Sequence, residues 1–268
     1  MIPNILSIAG SDCSGGAGIQ ADIKAISANG GYAMSVITAL TAQNTQGVRS
    51  VHLAPLPMIA DQIAAIRDDI TIHAVKIGML GTAGIVRCVA EGLAGLDCPI
   101  VLDPVMVAKG GDRLLATEAV AALREVLLPR VTLVTPNLPE AADLLGQPEA
   151  GNCDEMRRQA RAILSLGPGA VMLKGGHLAG ATSPDLLIAG EAELWLRAPR
   201  VETANTHGTG CTLSSTLATL LGRGLPLPRA AEDAKAYITA AIAAADRLSV
   251  GRGHGPVHHF HAFHGGPS

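Results

Sequence analysis

The chain has 268 residues, of which 48% are hydrophobic and 16% are charged, so it carries enough apolar material for a sizeable core. The net charge is −3, which provides no basic surface for nucleic acid or an anionic membrane, and we expect neither as a partner. Aromatic residues make up only 2% of the chain, which also disfavours a platform for stacking bases.

The N-terminus and the cysteines favour a cytoplasmic protein. The chain enters an apolar stretch almost at once, without the basic region, long apolar run and cleavage site of a signal peptide. No uninterrupted apolar run reaches the roughly 18 residues of a membrane span. The five cysteines are odd in number and never spaced C-x-x-C, so we expect reduced thiols.

Short apolar runs alternate with stretches of helical spacing along the chain. In order, the pattern predicts strand 5–9, helix 19–28, strand 36–40, helix 58–67, strand 75–77, helix 85–93, strand 100–102, helix 119–127, strand 133–135, helix 155–166 and strand 171–173. An edge hairpin over 185–188 and 193–196 follows, and then helices 209–220 and 230–247. Such alternation predicts an α/β fold with a mostly parallel central sheet covered on both faces.

We interpret residues 1–268 as one domain, because the chain has no long linker, low-complexity segment or internal repeat. The residues from Gly253 onward mix glycine, histidine and proline, which predicts irregular structure. In parallel sheets, ligands bind beyond the carboxyl ends of the strands. Those positions are polar, glycine-rich or ionisable here, which predicts a functional rim.

A glycine-rich turn, Gly10 to Gly18, joins the first strand to the first helix. Part of it matches the dinucleotide fingerprint G-x-G-x-x-G/A, but residues 24–60 contain no acidic residue to bind a ribose. The chain also lacks the G-K-[ST] of a P-loop. Two interpretations stay open: a tight turn only, or a loop that approaches a small ligand with Asp12 as hydrogen-bond acceptor.

A second glycine-rich segment, Gly208-Thr209-Gly210-Cys211, opens an apolar helix. Unpaired backbone N–H groups at such a helix start form an anion site that a phosphoryl group can approach closely. The alternative is an ordinary helix start capped by Thr209. Cys211 lies beside this site, where a helix N-terminus is expected to lower the thiol pKa, so Cys211 is a candidate base. The alternative for Cys211 is a buried structural cysteine.

Charged and polar residues that suit phosphoryl transfer follow three of the predicted strands. Asp103 follows strand 100–102, Lys174 follows strand 171–173, and Asn137 and Glu140 follow strand 133–135. Phosphoryl transfer needs cations on the nucleotide oxygens, and Mg²⁺ takes one or two carboxylates, directly or through water. Asn137 also fits the role of a helix cap. Together these residues predict a phosphoryl-transfer site.

The segments that carry this chemistry resemble the hydroxymethylpyrimidine/phosphomethylpyrimidine kinases of thiamine biosynthesis, in the ribokinase superfamily. The matching segments are 8–12, 14–22, 38–45, 76–80, 103–106, 135–140, 174–177, 205–211 and 255–261. The resemblance implies a ribokinase-like three-layer αβα sandwich, ATP with Mg²⁺ as cofactors, and a homodimer. It also implies two successive phosphorylations, of a pyrimidine alcohol and of its monophosphate.

The resemblance also implies roles for individual residues. Gln43 reads the aminopyrimidine ring, because an amide offers one acceptor and two donors. The other substrate-binding residues are Gly10, Asp12, Ala17, Met79 and Val105. The nucleotide-binding residues are Lys174, Asn137, Thr206 and Thr209, the metal-binding residues are Asp103 and Glu140, and the catalytic residues are Cys211, Lys174, Gly208 and Gly210. The wider superfamily carries an aspartate where this chain has Cys211, which leaves the identity of the base open.

Three alternatives remain at this stage. The first is a pyridoxal kinase on the same scaffold, whose substrate is similar in size. The second is a non-catalytic pyrimidine or nucleotide sensor, which would have no need for Lys174, Asp103, Glu140 and Cys211 together. The third is a metal site in the histidine-rich tail, His258, His259, His261 and His264, which we expect to be mobile.

Overall fold

The computed structural model describes residues 1–106 and 117–263. The strands are β1 Asn4–Asp12, β2 Tyr32–Asn44, β3 Gly47–Leu53, β4 Ala74–Ile77, β5 Ile100–Leu102, β6 Leu133–Val134, β7 Val171–Lys174, β8 Thr182–Ala189 and β9 Ala192–Pro199. The helices are α1 Gly18–Ala28, α2 Leu56–Asp69, α3 Ala83–Gly92, α4 Thr117–Ala122, α5 Leu138–Leu145, α6 Cys153–Leu164, α7 Thr209–Gly222 and α8 Leu227–Ala243. A π-helical turn, Leu123–Leu127, continues α4, and 3-10 turns cover Leu128–Arg130 and Ala245–Arg247.

The described strands form one sheet in the order β3-β2-β1-β4-β5-β6-β7-β8-β9. Six neighbouring strands, β2, β1, β4, β5, β6 and β7, are parallel to one another. At one edge β3 pairs antiparallel with β2, and at the other the β8–β9 hairpin pairs antiparallel with β7. The prediction of a mostly parallel sheet is therefore confirmed. The predicted strands shifted mainly at their ends, and β3 was missed because its side chains are largely exposed and lack a buried apolar run.

Alternating side chains of the strands divide the core into two layers. Leu6, Val75 and Leu102 face α2 to α6, whereas Ile5, Ala74 and Val101 face α1, α7 and α8. Successive residues of a strand point to opposite faces, so helices cover both sides of the sheet. This is the three-layer αβα arrangement that the resemblance implied.

The order of the strands brings the functional segments together. The chain leaves β1 toward β2 on one side and later continues from β4 on the other side, so the connections diverge beside β1. Loops part at such a point and leave a crevice beyond the carboxyl ends of the strands. None of the helices in the described residues is long and apolar enough to cross a membrane.

Candidate active site

A cavity of about 840 Å³ opens beyond the carboxyl ends of the parallel strands. Its lining includes both apolar and charged side chains. Every site residue predicted from the sequence except Asp12 is among the residues that line it. The predicted rim is therefore one continuous cavity.

Asp12 organises the first glycine-rich loop instead of lining the cavity. Its carboxylate accepts hydrogen bonds from the backbone N–H of Ser14 (2.8 Å), Gly16 (3.1 Å) and Ala17 (2.8 Å). His207 Nε2 lies 2.8 Å from Oδ2 of Asp12. Burial raises the pKa of Asp12, but the hydrogen bonds from His207, Ser14 and Ala17 outweigh it and lower the pKa to about 2. The structure thus gives the carboxylate a loop-forming task in place of the expected contact with a ligand.

The two glycine-rich segments fit against each other. Gly208, which precedes α7, has φ +77, a left-handed conformation that favours glycine. A Cβ at Gly208 would overlap the carbonyl oxygen of Gly16, and a Cβ at Gly16 would overlap the ring of His207. Both positions therefore need glycine, for conformation at one and for close approach at both.

The start of α7 lies directly against the charged groups of the cavity. The residue that caps α7 is Gly208, which has no side chain to bond the first N–H groups of the helix. The hydroxyl of Thr209 donates to the carbonyl oxygen of Thr206 (2.7 Å), so the alternative of a helix capped by Thr209 is wrong. A Cβ on Gly210 would lie only 3.1 Å from Oδ2 of Asp103 and 3.2 Å from Nζ of Lys174. The helix start therefore approaches this charged pair as closely as glycine allows.

Lys174, Asp103 and Glu140 form a buried charge cluster. Nζ of Lys174 lies 2.8 Å from Oδ1 of Asp103 and 3.9 Å from Oε2 of Glu140. Burial lowers the pKa of Lys174, but the two carboxylates outweigh it and the pKa is raised. For Glu140, burial and the charge of Asp103 raise the pKa to about 7 in spite of Lys174. One lysine is therefore too little positive charge for two buried carboxylates.

Asn137 and Glu140 cap α5 reciprocally. The backbone N–H of Glu140 donates to Oδ1 of Asn137 (2.9 Å), and the N–H of Asn137 donates to Oε2 of Glu140 (2.8 Å). The same oxygen of Glu140 is the one nearest Lys174. Asn137 therefore holds the Glu140 carboxylate at the cavity, whatever else its amide contacts.

The carboxylates of Asp103 and Glu140 fit a magnesium ion that is also bound by phosphate oxygens. Carboxylate oxygens are the protein ligands that Mg²⁺ prefers, and a bound cation would favour the ionised form of Glu140, whose pKa is raised by burial and by Asp103. Among the described residues, no group of three or more histidines, cysteines or carboxylates could hold a metal by itself. Asp103 and Glu140 thus suit a cation whose other ligands are waters and phosphate oxygens.

Cys211 lies in the first turn of α7, but its thiol does not have the lowered pKa predicted from the sequence. Burial raises the pKa to about 11; the positive charge of Lys76 lowers it, and the carboxylates of Asp22 and Asp103 raise it further. The prediction of a thiolate near neutral pH is therefore wrong. The loss of hydration on burial is the largest cause of the shift at this position.

Another part of the cavity, the apolar end, has mostly apolar lining. It is lined by Gly10, Ala17, Gln43, Met79 and Val105. A Cβ on Gly10 would lie 2.6 Å from Cε of Met79, so glycine lets the methionine cross the end of β1. The half-buried Gln43 supplies the amide at this end. The arrangement suits a flat ring with one polar edge.

The family model described as phosphomethylpyrimidine kinase matches residues 12–258, which include all of the site residues described above except Gly10. The chain belongs to the phosphomethylpyrimidine kinase family. The predicted enzyme class and the predicted resemblance are thereby confirmed.

Named relatives agree with this membership. The hydroxymethylpyrimidine/phosphomethylpyrimidine kinase of Rhizobium meliloti (strain 1021) is 53% identical over 256 residues, which are 96% of each chain. A solved phosphomethylpyrimidine kinase from Clostridium difficile 630 is 43% identical, with a TM-score of 0.79 over 90% of this chain and 99% of the other. An ADP complex of Bacillus subtilis pyridoxal kinase is 36% identical, with a TM-score of 0.91 over 98% and 99%. The ribokinase-like fold is confirmed by these neighbours.

One buried ion pair of this family member escaped the sequence reasoning. Lys76 on β4 and Asp22 on α1 are both fully buried, with Nζ 2.9 Å from each carboxylate oxygen. Ser7 (2.6 Å) and Ser215 (2.8 Å) donate to the same carboxylate, so four elements meet there. The lysine inside the otherwise apolar strand Ala74–Ile77 could have revealed this pair in the sequence, because a lysine is almost never buried without a partner.

A second pair supports the turn after β7 in this kinase. Nζ of Lys235 lies 2.7 Å from Oδ2 of Asp185, whose other oxygen accepts from the N–H of Gly175 (3.0 Å). Burial raises the pKa of Asp185, although Lys235 and Gly175 oppose it. The pair therefore fixes Gly175, the neighbour of Lys174. The sequence contained no sign that Asp185 on β8 pairs with Lys235 on α8.

Two of the C-terminal histidines pack against the fold. His258 and His259 are buried, and Nε2 of His259 lies 2.9 Å from the hydroxyl of Thr212 on α7. Burial, aided by the charges of Lys24 and the neighbouring histidines, lowers the pKa of His259 to about 3. The described residues include no group of three or more histidines, cysteines or carboxylates that could hold a metal, and His264 lies outside them. The described part of the segment is irregular, as predicted.

Proposed function

We propose that this chain transfers the γ-phosphoryl group of ATP to 4-amino-5-hydroxymethyl-2-methylpyrimidine and then to its monophosphate, in thiamine biosynthesis. One observation carries the proposal: a ring-sized apolar end with Gln43 and a charge cluster at a glycine-rich helix start lie in the same cavity. The names of the relatives, which include proteins of thiamine biosynthesis, give the substrate class.

The charge cluster supports the transfer step. Lys174 puts a fixed positive charge on the phosphate being transferred, and the backbone N–H groups of Gly208 and Gly210 at the helix start would donate to its oxygens. Asp103 and Glu140 would hold Mg²⁺, which neutralises phosphate charge when bound. Asp103 also holds Lys174 by the 2.8 Å ion pair, so the lysine is positioned before substrates arrive.

The nucleotide belongs on the β7–α8 side of the cavity. Apolar side chains of α7 and α8, Leu213, Ile238 and Ile242, line that side and offer surface to a base. Asn137, Thr206 and Thr209 lie between it and the charge cluster, where they suit the phosphates. The Bacillus subtilis neighbour was solved with ADP, which agrees with this use of the site.

The pyrimidine belongs at the apolar end of the cavity, beside Gln43. The Gln43 amide matches an exocyclic amine beside a ring nitrogen, and Met79 and Val105 offer apolar surface to the ring faces. Gly10 and Ala17 leave room for the ring edge. The hydroxymethyl group then points toward Cys211 and the start of α7.

Cys211 is the group next to the acceptor in this arrangement. A thiol with a pKa of about 11 is protonated at neutral pH, so its part in the reaction is to line the anion site or to accept the proton late. Cys211→Ala and Cys211→Asp distinguish these roles. If the side chain takes the proton, the aspartate variant keeps substantial turnover and the alanine variant loses it; equal loss in both contradicts a base.

A pyridoxal kinase is the second candidate, favoured by the pyridoxal kinase neighbour with a TM-score of 0.91. The test is a product assay with ATP and three acceptors: the pyrimidine alcohol, its monophosphate and pyridoxal. We expect successive formation of the mono- and diphosphate of the pyrimidine. A strong preference for pyridoxal would overturn the first choice, and absence of turnover on all three would support the sensor.

We also propose a homodimer that uses the β2–β3 edge. Exposed apolar side chains concentrate there and at the start of α2, namely Leu40, Val51, Leu53, Leu56 and Met58. An unpaired edge strand with apolar side chains is typical of a surface that another chain covers. Light scattering should give twice the monomer mass, and Val51→Lys should reduce it; a wild-type monomer at micromolar concentration would contradict the dimer. The protein is expected to work in the cytoplasm.

A further inference from the structure

The C-terminal strap, residues 251–259, runs along one side of the active site and ends between two helices. The backbone N–H of His258 donates to the carbonyl oxygen of Ala241 on α8 (3.0 Å). The hydroxyl of Tyr237 donates to the carbonyl oxygen of His259 (2.6 Å), and the His259 ring contacts Thr212 on α7. Val257 is fully buried. The end of the strap is therefore fixed to the core.

The middle of the strap pairs with the segment that precedes α7. The N–H of His207 donates to the carbonyl oxygen of Gly255 (3.0 Å), and the N–H of Gly255 donates to Oδ1 of Asn205 (3.0 Å). His207 and Pro256 form a short parallel bridge. Since His207 also contacts Asp12, this part of the strap is tied to both glycine-rich segments.

The first part of the strap holds the turn between β2 and β3. The hydroxyl oxygen of Thr45 accepts hydrogen bonds from the N–H of Arg252 (3.2 Å) and of Gly253 (3.1 Å). The N–H of His254 donates to the carbonyl oxygen of Thr45 (2.8 Å). Thr45 is buried although the neighbouring Asn44 and Gln46 are exposed. The strap thus covers one residue at the tip of an edge hairpin.

Alternate glycines make this contact possible. A Cβ on Gly251 would overlap the side chain of Thr45, and a Cβ on Gly253 would overlap its carbonyl oxygen. A Cβ on Gly255 would overlap the side-chain oxygen of Asn205. Every second residue from 251 to 255 must therefore be glycine for this part of the strap to lie against both partners.

Thr45 is two residues from Gln43, at a place where the hairpin itself is irregular. The pairing of β2 with β3 shifts register between Ala42 and Gln43, so the ladder fixes this end of the hairpin less well. We propose that Thr45 is a positioning residue: through the strap, it holds Gln43 at a set distance from the phosphoryl site at Gly208. The proposal rests on the assigned role of Gln43 in binding the pyrimidine.

The test compares Thr45→Val, which keeps the shape and removes the acceptor, with Thr45→Ser, which keeps the hydroxyl. Loss of hydrogen bonds worth about 1 kcal/mol in total predicts a KM for the pyrimidine alcohol about fivefold higher in Thr45→Val. The KM for ATP and the thermal midpoint should change little, and Thr45→Ser should resemble the wild type. An unchanged KM for the alcohol, or equal increases in both KM values, would overturn the proposal.

Gly253→Ala is the stronger second variant, because the new Cβ meets backbone atoms of Thr45 that cannot turn away. Gly190→Ala is the matched control: it changes a left-handed glycine in the hairpin turn at the opposite sheet edge, where a Cβ meets nothing within 4 Å. We expect a higher KM for the alcohol in Gly253→Ala only. The same rise in the control would show a general loss of stability and overturn the proposal.

Hydrogen exchange separates this inference from the proposed function. In the protein without substrates, Thr45→Val should speed exchange at the N–H groups of Arg252, Gly253 and His254, and also at His207, which Thr45 does not touch. If His207 exchanges as in the wild type, the strap does not couple the two parts. If the wild type lacks activity on the pyrimidine, the proposed function fails while this measurement still decides the coupling.

Discussion

Replacing Asp22 by asparagine removes the negative partner of a lysine that the fold buries completely. Asp22 and Lys76 are both fully buried, and the carboxylate accepts two hydrogen bonds from the ammonium and one each from Ser7 and Ser215. Asparagine keeps the shape and can still bond the two hydroxyls, but it leaves the ammonium without a counter-charge. Breaking a buried pair in this way costs about 3–5 kcal/mol.

The loss is large compared with the whole stability of a typical domain, about 5–15 kcal/mol. Urea unfolding measures it, with the free energy of unfolding taken at an unchanged m-value. Adding Lys76→Met to Asp22→Asn removes the uncompensated charge, so the double variant should recover about 2 kcal/mol or more. Asp233→Asn is the control, because its ion pair with Arg229 is exposed and should contribute less than about 1 kcal/mol.

Two results would refute this reasoning. One is a loss below about 1 kcal/mol in Asp22→Asn, which would mean that water reaches Lys76 or that the lysine is neutral. The other is a double variant no more stable than the single one, which would place the cost in packing.

Three further predictions concern single side chains. Lys174→Met should lower kcat about 100- to 1000-fold with little change in calorimetric pyrimidine binding, because the lysine acts on the transferring phosphate; an unchanged turnover number would contradict this. If Cys211 accepts the proton, wild-type kcat should rise from about pH 7 to about pH 9, below the thiol pKa of about 11, and Cys211→Ala should be slow and flat over that range. A parallel rise in both proteins would exclude the thiol as its source. The pKa of His259 is about 3 in the fold and near 6.5 when unfolded, so stability present above pH 6.5 is lost as the pH falls, by about 1.4 kcal/mol per pH unit. His259→Gln should flatten that slope in acid unfolding curves, and an equal slope would show that His259 does not titrate there.

Local pattern carried much of the fold. The alternation of short apolar runs with helical spacing determined the mostly parallel sheet, and β5 begins and ends where the pattern predicted. The edge strand β3 was missed because an exposed strand has no buried apolar run to reveal it. The helix 119–127 was predicted as regular, whereas its second half is a π-helical turn. Side-chain periodicity reports burial, and it is weakest where an element is exposed or irregular.

The sequence also determined which residues meet at the site, because strand ends in a parallel sheet share one edge. Lys174, Asp103 and Glu140 were placed together on that ground, and in the structure Nζ of Lys174 lies 2.8 Å from the Asp103 carboxylate and 3.9 Å from that of Glu140. What each group does there depends on burial and on distant partners. The thiol of Cys211 has a raised pKa because of burial and the nearby carboxylates of Asp22 and Asp103, and no spacing within its own helix contains that information.

The tertiary structure alone decided three features. It turned Asp12 from a ligand contact into the anchor of a glycine-rich loop, it paired Lys76 with Asp22 across the core, and it laid the C-terminal strap on Thr45. Each joins segments far apart in the chain, through hydrogen bonds or charges whose strength depends on exclusion of water. A sequence determines which groups are available and which elements carry them, whereas their pairing and their pKa values follow from how those elements pack.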